Sequence, residues 1–234
     1  MHTHTHTKKS RPIIMVAIAL FVTCQTGLWA ADGDAPLDKN DVNSFDRLAI
    51  FQYSKAQDIA SDVTCYSAAL VPLVFLKAAP SKDWLELGLL YAGSSAISFG
   101  SCEILKLAVS RDRPYMYFDD PPSDFIDSKD YEKSFPSRHS AMAFNGAGFT
   151  AAVFAIKYPD SPYRVPAVAT AYGLAVATAT LRVTGGSHFM SDVAAGALIG
   201  SATGFLVPWV NYRLIKRGVT VTASPSEMAF TYRY

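Results

Sequence analysis

The sequence predicts an all-α fold, a six-helix integral-membrane bundle whose polar residues gather at helix ends on the extracytoplasmic face. Three observations predict it. Half of the 234 residues are hydrophobic and 18% are charged, with a mean hydropathy of +0.15, which lies on the membrane side of ordinary globular composition. The apolar residues fall into six runs of roughly the length that crosses a bilayer as helix. The basic residues between those runs all fall on one side if the runs alternate in direction. The net charge of +1 leaves no dominant basic face and excludes a general nucleic-acid binder.

The elements follow in order. His2, His4 and His6 alternate with threonine, and Lys8, Lys9 and Arg11 precede the apolar run 13–31. Residues 1–31 therefore read as a signal peptide ending near Ala30 or as a first transmembrane helix, and either way the chain emerges outside the cytoplasm. Residues 32–62 are polar and form an extracytoplasmic segment, in which 44–51 has an N-cap serine and helical apolar spacing. That short helix lies on the membrane face or packs on the core. The further spans are 63–79, 84–109, 139–156, 165–183 and 189–210. Small residues crowd 141–155 and 167–180, where they let helices approach closely. Residues 214–234 form a C-terminal tail whose alternating character from 219 onward receives no assignment. Cys24, Cys65 and Cys102 sit in apolar stretches without a C-x-x-C pair and read as buried small hydrophobes. A soluble bundle of very apolar helices is the alternative.

Lys8, Lys9, Arg11, Lys77, Lys82, Lys157, Arg164, Arg213, Lys216 and Arg217 mark the cytoplasmic side. Three polar clusters fall on the opposite side. The first holds Lys106, Arg113 and Pro114, the proline ending a helix. The second holds Pro136, Ser137, Arg138 and His139, with Ser137 as an N-cap and the first-turn amides free to bind an anion. The third holds Arg182, His188 and Asp192. His188 and Asp192 are four apart on one helical face, so the carboxylate can accept an imidazole N–H and set its tautomer. Gly185 and Gly186 permit the turn that returns Arg182 to His188. Singly, Lys106 or Arg113 reads as a snorkelling charge and His139 as a satisfied core histidine. Jointly, fixed cations and two imidazoles describe a phosphate site. Arg111 and Asp112 read as a solvated pair. Tyr115, Tyr117, Phe118, Phe125, Tyr131 and Phe135 read as a headgroup-level aromatic belt. Asp119, Asp120, Asp124, Asp127, Asp130 and Glu132 read as a solvated face.

The three clusters resemble the motifs of the type 2 phosphatidic acid phosphatase superfamily, K-x6-R-P, P-S-G-H and S-R-x5-H-x3-D, with Arg138 in place of the usual glycine and Leu181 in place of the usual serine. The resemblance covers roughly 60–212, makes 63–213 a phosphatase helical core, and points to its membrane lipid phosphatase branch. It implies hydrolysis of a lipid phosphate or diphosphate with no metal or other cofactor. Phosphatidic acid, phosphatidylglycerol phosphate, undecaprenyl diphosphate and lipid A are the candidates, and the polar outer loops and Arg138 lean toward lipid A. It implies His188 as the nucleophile forming a phosphohistidine, Asp192 as its orienting carboxylate and His139 as the acid. Lys106, Arg113, Arg182 and Ser137, with the amide of Arg138, would hold the phosphate. It also implies a multi-pass protein of the bacterial inner membrane with the site facing the periplasm. A soluble periplasmic acid phosphatase, a vanadium-dependent haloperoxidase and a lipid-binding protein with a decayed site are the competing readings.

Overall fold

The computed structural model describes residues 37–75, 79–216, 219–223 and 228–232. The apolar run 13–31 and Cys24 lie outside the described residues. The helices are α1 (Ser44–Arg47), α2 (Lys55–Phe75), α3 (Trp84–Ala108), α4 (Ser123–Asp127), α5 (Arg138–Ile156), α6 (Arg164–Thr184) and α7 (Met190–Lys216). A hairpin of β1 (Val219–Ala223) and β2 (Met228–Tyr232) follows, pairing Val219 with Tyr232 and Ala223 with Met228. The tail's alternation is thus the period-2 pattern of strands, and the described chain is helical with one terminal hairpin.

Helix α5 is central and packs against α2, α3, α6 and α7, most extensively against α7. Many of its inward residues are small: Ala141, Ala143, Gly146, Ala147 and Gly148 are all buried. Facing them, Gly196, Gly200 and Gly204 form one stripe of α7. A Cβ at these positions would stand 2.3 Å from the Ser137 carbonyl oxygen, 2.1 Å from that of Ala141 and 2.3 Å from that of Asn145. Glycine is what lets the two backbones touch. Buried Asn145 ties the layers by donating to Thr203 (3.0 Å) and accepting from Ser95 (3.1 Å).

The outer faces carry the large apolar side chains. Leu70, Leu85, Leu89, Leu107, Val165 and Leu198 are all exposed, while alanines and serines are prominent among the buried residues beside Leu87, Phe149 and Phe154. Helix α2, helix α6 and the Met190–Leu214 stretch of α7 are long and apolar enough to cross a membrane. Among the described residues that makes three such helices, fewer than the sequence predicts. Serines and glycines dilute α3, and α5 is enclosed by its neighbours, so its surface answers to them. Helix α2 also starts at Lys55 instead of Val63, because its polar first turns face the site described below.

Successive helices run antiparallel. The ends at Lys106, Arg138, Arg182 and Met190 therefore meet at one pole and the basic loops at the other, where Lys157 bridges Asp83 (3.1 Å) and Glu86 (2.8 Å). Cys65 and Cys102 are buried free thiols, as the sequence suggests.

Candidate active site

The turn after α6 places His188. Gly185 N–H caps Leu181 O at 2.9 Å, and Gly186 takes φ +70° with backbone of Phe51 and Gln52 against it, so a side chain has neither the conformation nor the room. The chain then doubles back, and the N–H groups of Ser187 and His188 both donate to Arg182 O (3.2 and 3.1 Å). Arg182 and His188 are neighbours for that reason. Asp192 follows in the first turn of α7.

Arg113 Nη1 donates to Ser187 O (3.0 Å) and lies 3.3 Å from His188 Nε2. A guanidinium only donates, so Nε2 is the acceptor and Nδ1 carries the proton. Nδ1 lies 3.7 Å from Asp192 Oδ2, too far for the hydrogen bond the spacing suggested. Asp192 is otherwise engaged: Oδ1 accepts from Arg111 (2.5 Å), and Oδ2 accepts from Ser134 (2.6 Å) and the Phe189 N–H (2.9 Å). Burial, then Arg113, Arg182, Lys106 and His139, hold the His188 imidazole well below its usual pKa of 6.5. It is neutral, with a lone pair directed at the cations.

The cations converge from three elements. Lys106, in the last turn of α3, donates to Lys133 O. Helix α3 ends at Ala108, well before Pro114, because the chain turns extended: Arg111 and Arg113 N–H donate to Glu132 O (2.8 Å) and Tyr131 O (2.9 Å). Pro114 instead opens a 3-10 turn, Pro114–Tyr117, where its missing donor costs nothing. Arg113 is also held by the Asp130 carboxylate (2.7 Å), and Arg182 by Asp58 and the Ser61 hydroxyl (3.2 Å).

Ser137 caps α5 as expected, accepting from Ser140 N (3.4 Å), and its own N–H donates to Asp192 O (3.0 Å). His139 Nε2 lies 2.9 Å from Asp62. Arg138 follows Ser137 in the first turn of α5. It pairs with Glu103 (2.9 Å) and lies over the Phe99 ring, half-exposed, leaving its backbone amide as the part still able to serve an anion.

Several residues of this cluster were not read from the sequence. Asp58 and Asp62 share one face of α2 and contact Arg182 and His139. Asp130, though partly exposed, also contacts the cluster through Arg113. Arg111 is buried, bridging Asp46 (2.6 Å) and Asp192, where a solvated pair with Asp112 was expected. Tyr115, Tyr117 and Phe135 are buried too. Tyr115 stacks on Phe125 at 5.7 Å and meets Tyr53 at 5.9 Å, so these rings make a core beneath the α3–α5 loop instead of a belt in headgroups. The i,i+4 spacing of Asp58 and Asp62 was the one local signal available.

A family model described as PAP2 superfamily matches residues 84–216. The chain belongs to that superfamily, as its motifs suggested. No curated protein matches the chain. Among solved structures, it is similar to LpxE of Aquifex aeolicus at 23% identity, with 69% of this chain and 91% of that one covered and a TM-score of 0.47. It is also similar to the first transmembrane PAP2 type phosphatidylglycerolphosphate phosphatase from Bacillus subtilis, at 18% identity, 85% and 96% coverage and a TM-score of 0.53. The latter likeness shows the fold.

Proposed function

We propose that the chain is a metal-independent phosphatase of a membrane lipid phosphate or diphosphate, working through a phosphohistidine on His188. The observation that carries this reading is the neutral, buried imidazole whose Nε2 faces Arg113, with Arg182, Lys106 and His139 close enough to set its charge state. A phosphoryl group entering beside Nε2 meets donors from Lys106, Arg113, Arg182 and the first-turn amides of α5. Nε2 attacks phosphorus as the bond to the leaving oxygen breaks, and His139, held by Asp62, gives that oxygen its proton. Water then attacks the phosphohistidine, His139 takes the proton, and the P–N bond breaks to release phosphate. Asp192 stabilises the developing imidazolium charge.

The membrane setting is supported by the many large apolar side chains exposed on the helices, three of which are long and apolar enough to span, and by the small residues where α5 meets α7. The basic loops at the opposite pole favour an extracytoplasmic site. Lys157 at that pole is held above its ordinary pKa: burial opposes its charge, but hydrogen bonds to Glu86, Tyr212 and Asp83 outweigh that.

The test is phosphate release by the detergent-purified full chain. The panel holds phosphatidic acid, phosphatidylglycerol phosphate, undecaprenyl diphosphate, lipid A and the soluble ester p-nitrophenyl phosphate. Turnover of a lipid member, inhibited by vanadate and abolished in His188→Ala, is expected. Turnover confined to the soluble ester would contradict the lipid assignment, and full activity of His188→Ala would contradict the mechanism.

A further inference from the structure

Asp46 lies on α1, outside the 84–216 family match, and its side chain is 0% exposed. Four donors converge on that carboxylate. They are Arg111 Nη2 (2.6 Å), the Ser191 amide (2.8 Å), the Ser191 hydroxyl (2.6 Å) and Asn43 Nδ2 (2.7 Å). The other arm of the Arg111 guanidinium donates to Asp192 (2.5 Å) and to the Ser191 hydroxyl (2.7 Å). One buried cation thus lies between two buried carboxylates, and the second is the one beside His188. The same stretch of chain also backs the nucleophile's turn. Ser54 N–H donates to Gly185 O (3.1 Å), Phe51 and Gln52 press on Gly186, and Val42 packs with Phe189.

We propose that Asp46 is a positioning residue for the His188–Asp192 pair, acting through Arg111 and Ser191. The inference rests on the reading of His188 as nucleophile. A carboxylate buried alone would be protonated. Burial does push the Asp46 carboxyl up, but Arg111, Ser191 and Asn43 outweigh it and hold the group ionised below its usual range. The charge therefore fixes Arg111, and Arg111 fixes the Asp192 oxygen it binds. Without Asp46, Arg111 has lost one anchor and the first turn of α7 has lost the acceptor of its Ser191 amide, so Asp192 and His188 can drift together. A drift of about an ångström in a reacting group can cost on the order of 100-fold in rate. Asp46 touches neither substrate nor reacting atoms, so the loss should fall on kcat.

The test uses the full chain in detergent and the panel substrate it turns over fastest. Asp46→Asn should lower kcat by about 10- to 100-fold and leave KM within about 3-fold. Asp46→Glu, which keeps the charge, should recover part of the loss, and Asp41→Asn, an exposed acid of the same stretch, should behave as wild type. In an Asp192→Asn background, Asp46→Asn should cost nothing further, because residues acting as one unit are not additive. A purely structural role would give an equal loss in both backgrounds, and that result, or an unchanged kcat, overturns the proposal. If Asp46→Asn does not fold, Ser191→Ala decides: it removes the hydroxyl between Arg111 and Asp46 without removing a charge. It should lower kcat at constant KM, and a wild-type kcat would overturn the proposal. His188→Ala is measured alongside. An active His188→Ala defeats the mechanism itself, whereas an inactive one beside a fully active Asp46→Asn defeats only the positioning role.

Discussion

Arg113 and His188 meet with a guanidinium nitrogen 3.3 Å from Nε2, so the imidazole presents a lone pair to the same cation that would hold the phosphate. On the proposed mechanism, nucleophile and electrophile-binding group are thus brought together before substrate arrives, which removes the need to recruit either during the reaction.

The first consequence concerns pH. The folded-state pKa of His188 is depressed well below 6.5, chiefly by burial and then by Arg113 and Arg182. The His188 imidazole stays unprotonated as pH falls through 6.5, so with His188 as the proposed nucleophile kcat/KM should not decline there as an ordinary histidine would dictate. Stability moves the other way. The unfolded histidine takes up a proton below 6.5 while the folded one does not, so this group's contribution is full above pH 6.5 and is lost progressively as pH drops toward the folded value. A pH–rate profile beside a pH series of thermal unfolding checks both. An acid limb centred at 6.5 would place His188 in an ordinary environment.

Asp130 occupies Arg113 at 2.7 Å and is itself partly exposed. On the proposed role of Arg113, a phosphate competes with it for the guanidinium. Asp130→Asn removes that competitor, and vanadate or phosphate inhibition should tighten by roughly 2- to 5-fold, the range of a partly exposed ion pair. The measurement is Ki for both anions, and weakened inhibition would mean that Asp130 orients Arg113 instead of competing with the ligand.

Arg138 stands where relatives usually have glycine, and its side chain is spent on Glu103 and Phe99. Arg138→Gly should therefore change kcat/KM by less than about 3-fold, as expected for an exposed pair. Arg113→Ala, which strips a donor from the phosphate, should cost on the order of 100-fold or more. Equal losses would return Arg138 to the pocket.

Helix packing sets the distance between the second and third motifs. Gly200 has the Ala141 carbonyl where a Cβ would go, 2.1 Å away. Gly200→Ala must force α7 off α5 and should cost about 1–3 kcal/mol, read as a lower unfolding temperature in detergent. An unchanged temperature would show that the two helices can part without loss.

Much of this was legible in the residues. The small-residue run 141–155 is the largely buried stretch of α5, within 167–180 only Ala167, Ala171, Ala175 and Thr178 are buried, and Gly185–Gly186 does return Arg182 to His188. Local pattern could not reveal long-range pairing. Arg111 and Asp46 are 65 residues apart, and Arg182 and Asp58 are 124 apart. A charged residue in a loop looks solvated until its partner is known. The outer loop's aromatics were hidden for a related reason: their partners lie elsewhere in the chain, Tyr115 packing on Tyr53 and Phe125, Tyr117 on Val42 and Phe189, and Phe135 on Val109 and Ala195. Among the described residues three helices are long and apolar enough to span, because serines and glycines dilute α3 and α5 is enclosed by its neighbours.

The central claim is covalent catalysis by His188, and trapping the intermediate tests it most directly. Rapid quenching in alkali during turnover of a 32P-labelled panel substrate should yield an alkali-stable, acid-labile label on the chain. Mapped by peptide, the label should lie on His188 and be absent from His188→Ala. Steady turnover with no label at any quench time, together with an active His188→Ala, would contradict the account.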